Sequence, residues 1–134
     1  MEIKDIKGKY IIRLNPKRNL VYETCIGYWK PEDVERLHRE YIKKIIPIFK
    51  GKQWAKCCDL KAYKTSMITQ DIKKYANLWT KNGYVACAVI IDDSDIYKSV
   101  IKLQMKLSVK NMLFKLKFFT NIKEADKWLK SEGF

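Results

Sequence analysis

Lys98, Lys102, Lys106 and Lys110 recur at every fourth residue of a stretch, 97–119, that holds six lysines and no acid. At about 100° per residue these four spread over roughly a third of a helix circumference. Lys115 and Lys117 follow in an alternating segment. The chemistry such residues offer is electrostatic. Near an anionic lipid surface each lysine is worth about 1 kcal/mol, and salt screens it. Tyr97, Val100, Ile101, Leu103, Gln104, Leu107 and Ser108 fall opposite the stripe and are expected to pack inward. Two readings stand. Either the lysines are the solvated side of an amphipathic helix, or they dock on something negative. Like charges at i,i+4 slightly disfavour a helix, and the glutamates of a neutral surface are missing.

The acids offer a second chemistry. Asp59 ends an apolar run, and Asp92, Asp93 and Asp95 follow another. In parallel sheets ligands gather beyond the carboxyl ends of strands, so a metal or phosphoacceptor site is conceivable there. The simpler expectation is that Asp93, Ser94 or Asp95 caps the next helix. His38 is the single histidine and falls on the apolar side of a helix, as a structural histidine would. With no second histidine, a hydrolytic triad has no support. No phosphate-binding loop, dinucleotide fingerprint or zinc spacing is present, so neither an enzyme nor a cofactor or bound metal is expected. Cys25, Cys57, Cys58 and Cys87 lie in apolar runs, and adjacent Cys57 and Cys58 would point to opposite faces of a strand. They read as buried reduced thiols of a cytoplasmic protein.

The chain has 134 residues, 47% of them hydrophobic, which suits a single domain spanning 1–134. The longest apolar run, at 84–91, is too short to cross a bilayer. The first ten residues lack an export signal's apolar core. Lysine and arginine outnumber acids 28 to 15, for a net charge of +13. Such a surplus concerns partners rather than fold. Nucleic acid is the competing polyanion, but arginine is confined to Arg13, Arg18, Arg36 and Arg39. With the aromatics in core stripes as well, specific nucleic-acid recognition is not expected.

Residues 7–14 and 20–29 read as a hairpin of two strands, joined by a turn-forming NPKRN. A helix opens at Pro31, with Val34, Leu37, Tyr41, Ile42 and Ile45 on one face, and Pro47 ends or kinks it. Strand 54–60 follows, then helix 68–83 with Ile68, Ile72, Tyr75, Ala76 and Trp79 inward. The continuous apolar 84–92 reads as a strand buried on both faces. A third helix is expected over 95–111, a strand over 113–119, and a last helix opened by Asn121 and Glu124 at capping-box spacing. The order ββαβαβαβα predicts an α/β fold: a five-stranded mixed sheet, a hairpin plus three β-α crossover units, with four helices.

That order, with WAKCCDLKAY, CAVIIDDSD and FKLKFFTNIKEADKWLKSEGF, resembles the STAS fold of anti-sigma-factor antagonists, and in particular the small bacterial SpoIIAA-like proteins. The resemblance spans nearly the whole chain. It implies a regulatory interaction module with a protein partner. In that family a partner kinase phosphorylates a serine in Asp-Ser-Ser-Gly, after the third strand. Here the region reads DLKAYKTSMITQDI, which lacks Ser-Ser-Gly. Ser66 and Thr69 stand near the expected place, and Asp59 matches the strand-end acid. The resulting expectation is a non-enzymatic module docking to a protein or an anionic membrane. The alternative is a domain holding a small molecule, nucleotide or lipid in a pocket.

Overall fold

The computed structural model describes all 134 residues. Six strands form one mixed sheet: β1 (Glu2–Lys4), β2 (Tyr10–Asn15), β3 (Leu20–Tyr28), β4 (Trp54–Lys64), β5 (Tyr84–Ile90) and β6 (Lys115–Phe119). They lie side by side in chain order. β1, β2 and β3 pair antiparallel, whereas β3 to β6 pair parallel. The sheet therefore has six strands rather than the five expected. The extra strand is β1, three residues long with only Ile3 turned inward, too short to show an alternation.

The first helical rod, α1, begins as Pro31–Glu40, passes through a π-helical Tyr41–Ile45 and ends with Ile46–Phe49. The amide of Ile46 bonds to the carbonyl of Tyr41. This wider turn lets the rod continue past Pro47, which has no amide proton to give. Val34, Leu37, Tyr41 and Ile45 are buried as expected, while Ile42 faces out. The remaining helices are α2 (Thr69–Thr80), α3 (Lys98–Ser108) and α4 (Ile122–Ser131). Gly83 closes the loop after α2 at φ +95°, and a Cβ there would meet the Lys52 carbonyl oxygen at 2.5 Å.

Successive parallel strands laid down in one direction put their right-handed crossover helices on one face. Accordingly α1, α2 and α3 cover one side, over a core of 22 buried residues that includes Tyr10, Tyr41, Trp54 and Trp79. α4 follows the last strand, has no strand to return to, and packs Ala125 and Leu129 on the other side against Leu20, Ala55, Ala86 and Ile90. β5 is buried on both faces along almost its whole length, which accounts for its unbroken apolar sequence. At the front edge, Arg36 of α1 grips the carboxylate of Asp5 with two bonds of 2.6 and 2.7 Å and reaches Asp33 at 2.8 Å. This ties the β1–β2 turn to the helix layer.

Candidate functional sites: the α3 face and a buried carboxylate cluster

α3 buries only part of the side its sequence turns inward. Ile101, Gln104 and Ser108 are the buried positions. Val100, Leu103 and Leu107 are 50%, 55% and 40% exposed. The cause is Gln104, whose amide is fully used inside. Its Oε1 accepts from the Tyr63 and Thr65 hydroxyls, and its Nε2 donates to the Ser66 carbonyl and to Thr69 Oγ1. A polar side chain with all its partners is tolerated at a buried position, and with Gln104 seated there Val100, Leu103 and Leu107 lie outside the buried arc. Met67, 97% exposed, stands across a groove from these three, just before α2.

Lys98, Lys102, Lys106 and Lys110 lie beside the exposed apolar residues. Lys98 pairs with Asp93 at 3.1 Å. Lys102 and Lys106 stand over the Phe118 ring at 5.8 and 6.0 Å. Lys110, past the end of the helix, shares a second groove with Lys73 and Lys74 of α2. The α2–α3 face is therefore apolar toward the end of β4 and basic at its far end. Lys115 and Lys117 are not part of it. Phe114, Leu116 and Phe118 of the β6 segment pack on the helix-covered core, so the two lysines alternate to the other side of the sheet, where Lys115 pairs with Glu132.

The strand-end acids are not brought together. Asp59 does not end its strand, because β4 runs on to Lys64, and it accepts from the Lys61 amide of the same strand. Asp92 accepts from both the amide and the hydroxyl of Ser94, and these bonds hold its carboxyl below the usual range. Asp93 pairs with Lys98, and Asp95 accepts from the Tyr97 amide. None of Asp93, Ser94 and Asp95 caps α3: its cap position is Tyr97, which makes no side-chain cap bond. These acids shape the turn before the helix instead. Asn121 does cap α4, accepting from the Glu124 amide at 2.9 Å. Ser66 donates its hydroxyl to the Trp29 carbonyl at 2.6 Å, and Thr69 is the first residue of α2. Both are half-buried at the junction where the resemblance placed a phosphoacceptor. His38 accepts a hydrogen bond from Trp79 Nε1 at 3.0 Å and stacks on Tyr75 at 4.1 Å. Burial, helped by the nearby Lys74 charge, pushes its pKa down.

A second cluster lies under α1 and α2, built on Glu23 and Lys56, which the sequence reading passed over. Glu23 of β3 and Lys56 of β4 are 4% and 3% exposed and meet at 3.0 Å. Glu23 Oε1 accepts from the Lys56 ammonium and, at 2.5 Å, from the Tyr41 hydroxyl. Its Oε2 accepts from the thiols of Cys25 at 3.5 Å and Cys58 at 3.4 Å. Lys56 Nζ also lies 4.0 Å from the centre of the Trp79 ring and 4.1 Å from that of Tyr41. Burial alone would raise the Glu23 pKa. The Lys56 charge and the bonds from Tyr41, Lys56 and Cys58 outweigh it and hold the group low, so it is a carboxylate. Glu23, Cys25 and Cys58 offer three ligand atoms within 4.8 Å of one another. They line a mostly apolar cavity of about 90 Å³ between the sheet and the helices. A signal was present: Glu23 shares the inward phase of Val21 and Cys25, and Lys56 that of Trp54 and Cys58.

The chain matches no curated protein and no solved structure. A family profile described as a domain of unknown function, DUF7793, matches residues 31–132, from the start of α1 to the end of α4, leaving β1, β2 and β3 outside. That match covers most of the chain, which therefore belongs to the DUF7793 family.

Proposed function

We propose that this protein is a non-enzymatic, STAS-like interaction module that docks reversibly on an anionic membrane surface in the cytoplasm through its α2–α3 face. Two antiparallel pairings, then three parallel crossovers and a terminal helix, support the STAS-like reading. One observation carries the docking: Val100, Leu103 and Leu107 are exposed on a helix whose outer arc also holds Lys98, Lys102 and Lys106. An interfacial helix works this way, with apolar residues entering the headgroup boundary and lysines remaining at its polar surface. Lys73, Lys74 and Lys110 extend the basic area on the α2 side. No helix is long and apolar enough to cross a membrane.

Co-sedimentation with vesicles tests the reading. The wild type is expected to pellet with vesicles containing phosphatidylserine at physiological salt, and not with purely zwitterionic ones. Replacing Lys98, Lys102, Lys106 and Lys110 by glutamate abolishes pelleting. Replacing Val100, Leu103 and Leu107 by serine weakens it at unchanged charge. Wild-type protein that stays in the supernatant at both low and physiological salt removes the membrane reading and leaves this face to a protein partner.

A further inference from the structure

We propose that Glu23, Cys25 and Cys58 form a binding site for one thiophilic divalent cation, zinc above all. The site is independent of the docking face and lies in the interior of the helix-covered core.

The geometry is the first argument. Glu23 and Cys25 are two residues apart on β3, and Cys58 sits opposite Glu23 on the parallel neighbour β4. All three side chains turn to the same face. Both thiols converge on one oxygen, Glu23 Oε2, at 3.5 and 3.4 Å. Metal–sulfur and metal–oxygen bonds of about 2.3 and 2.0 Å at a tetrahedral angle place sulfur and oxygen about 3.5 Å apart. The observed spacings are thus those of two edges of a zinc tetrahedron. The three groups border the cavity, which leaves the fourth position to a water or a small ligand.

Charge is the second argument. A carboxylate and two thiolates carry three negative charges, one more than a divalent cation cancels. Lys56 supplies the missing positive charge, held on Glu23 Oε1 and away from the two thiols on Oε2. On binding, two S–H bonds break, two metal–sulfur bonds form, and both protons leave to solvent. The cluster is neutral before and after, so no net charge is introduced into the interior. Tyr41 and Lys56, both bonded to Oε1, fix the carboxylate's orientation as outer partners of a metal ligand do. The two sulfurs favour zinc or cadmium over magnesium or calcium.

Cadmium is a suitable probe because its thiolate complexes absorb in the ultraviolet. Titration of the reduced, metal-free full chain is expected to give a thiolate-to-cadmium band that saturates at one equivalent. Zinc should displace it, and zinc-loaded protein should keep one zinc through gel filtration. Cys25→Ser and Cys58→Ser each abolish the band. Cys57→Ser and Cys87→Ser, whose thiols lie outside the cluster, leave it unchanged. Tyr41→Phe keeps the ligands and weakens binding by about 10- to 100-fold. Wild-type protein that shows no band and retains no zinc overturns the proposal, whatever the variants do. So does a band that survives in the Cys25→Ser and Cys58→Ser variants, or one that needs Cys57 or Cys87.

Discussion

Removing the cation from the buried pair tests how the interior is held together. Lys56→Met leaves the Glu23 carboxylate at 4% exposure with the Tyr41 hydroxyl and two weak thiol donors. Breaking a buried pair by deleting one partner costs about 3–5 kcal/mol. Domains of this size are stable by only about 5–15 kcal/mol, so the variant is expected near the edge of unfolding. Glu23→Leu strands the ammonium instead and should cost a similar amount. In the Glu23→Leu, Lys56→Met double variant both charges are gone. What remains is the unpaired Tyr41 hydroxyl, worth roughly 1–3 kcal/mol, which adding Tyr41→Phe removes. Urea denaturation at pH 7 on the metal-free protein measures all four. The two single losses should sum to several kcal/mol more than the double loss, and the triple variant should approach the wild type. Additive losses, or a Lys56→Met cost below about 1 kcal/mol, would mean that the two charges do not depend on each other and that the reasoning fails.

Three other perturbations follow from the same kind of contact. Burial tends to raise the carboxyls of Asp5 and Asp33, but Arg36 and backbone amides outweigh it and hold both below the ordinary 3.8. Their contribution is complete above 3.8 and is lost below it, as pH falls through the lowered folded values. Arg36→Met should therefore cost about 3–5 kcal/mol at pH 7 and progressively less toward pH 3, in urea melts across that range. His38 has its pKa below 6.5, so on acidification the unfolded chain takes its proton first and stability falls. His38→Gln, which keeps an acceptor for Trp79, should flatten the change in melting temperature between about pH 7.5 and 5.5. Gln104→Leu strands the Tyr63 hydroxyl and should cost roughly 1–3 kcal/mol, part of it recovered by Tyr63→Phe.

Long elements declared themselves in the sequence, because their periodicity is repeated enough to outweigh any single residue. The stripes of α1 and α2 and the unbroken run of β5 are of this kind. β1 escaped because three residues contain one inward position. Which part of the wide inward arc of α3 is buried escaped for another reason. Its apolar residues cover too wide an arc to share one buried face, and the choice among them was made by Gln104, whose partners Tyr63, Ser66 and Thr69 come from 35 or more residues away. The wheel already set Gln104 opposite the lysines, but only its tertiary partners explain why it is buried and Leu103 and Leu107 are not. The acids after β5 read as helix caps in the sequence, whereas they bond within the turn before α3 and none of them caps it.

Glu23 and Lys56 were legible in phase and overlooked in meaning. Each breaks an apolar alternation at an inward position. Two such breaks of opposite sign on different strands are what a buried pair looks like before the strands are placed side by side. Stability alone gives no reason for that pair, since well-packed apolar residues of the same volume do as well or better in a protein core. The same holds for a glutamate whose second oxygen is met only by two thiols, which are weak donors. The arrangement is accounted for once the thiols are read as ligands whose protons can leave. The glutamate is then a third ligand, and the lysine is the charge that keeps the occupied and empty sites equally neutral.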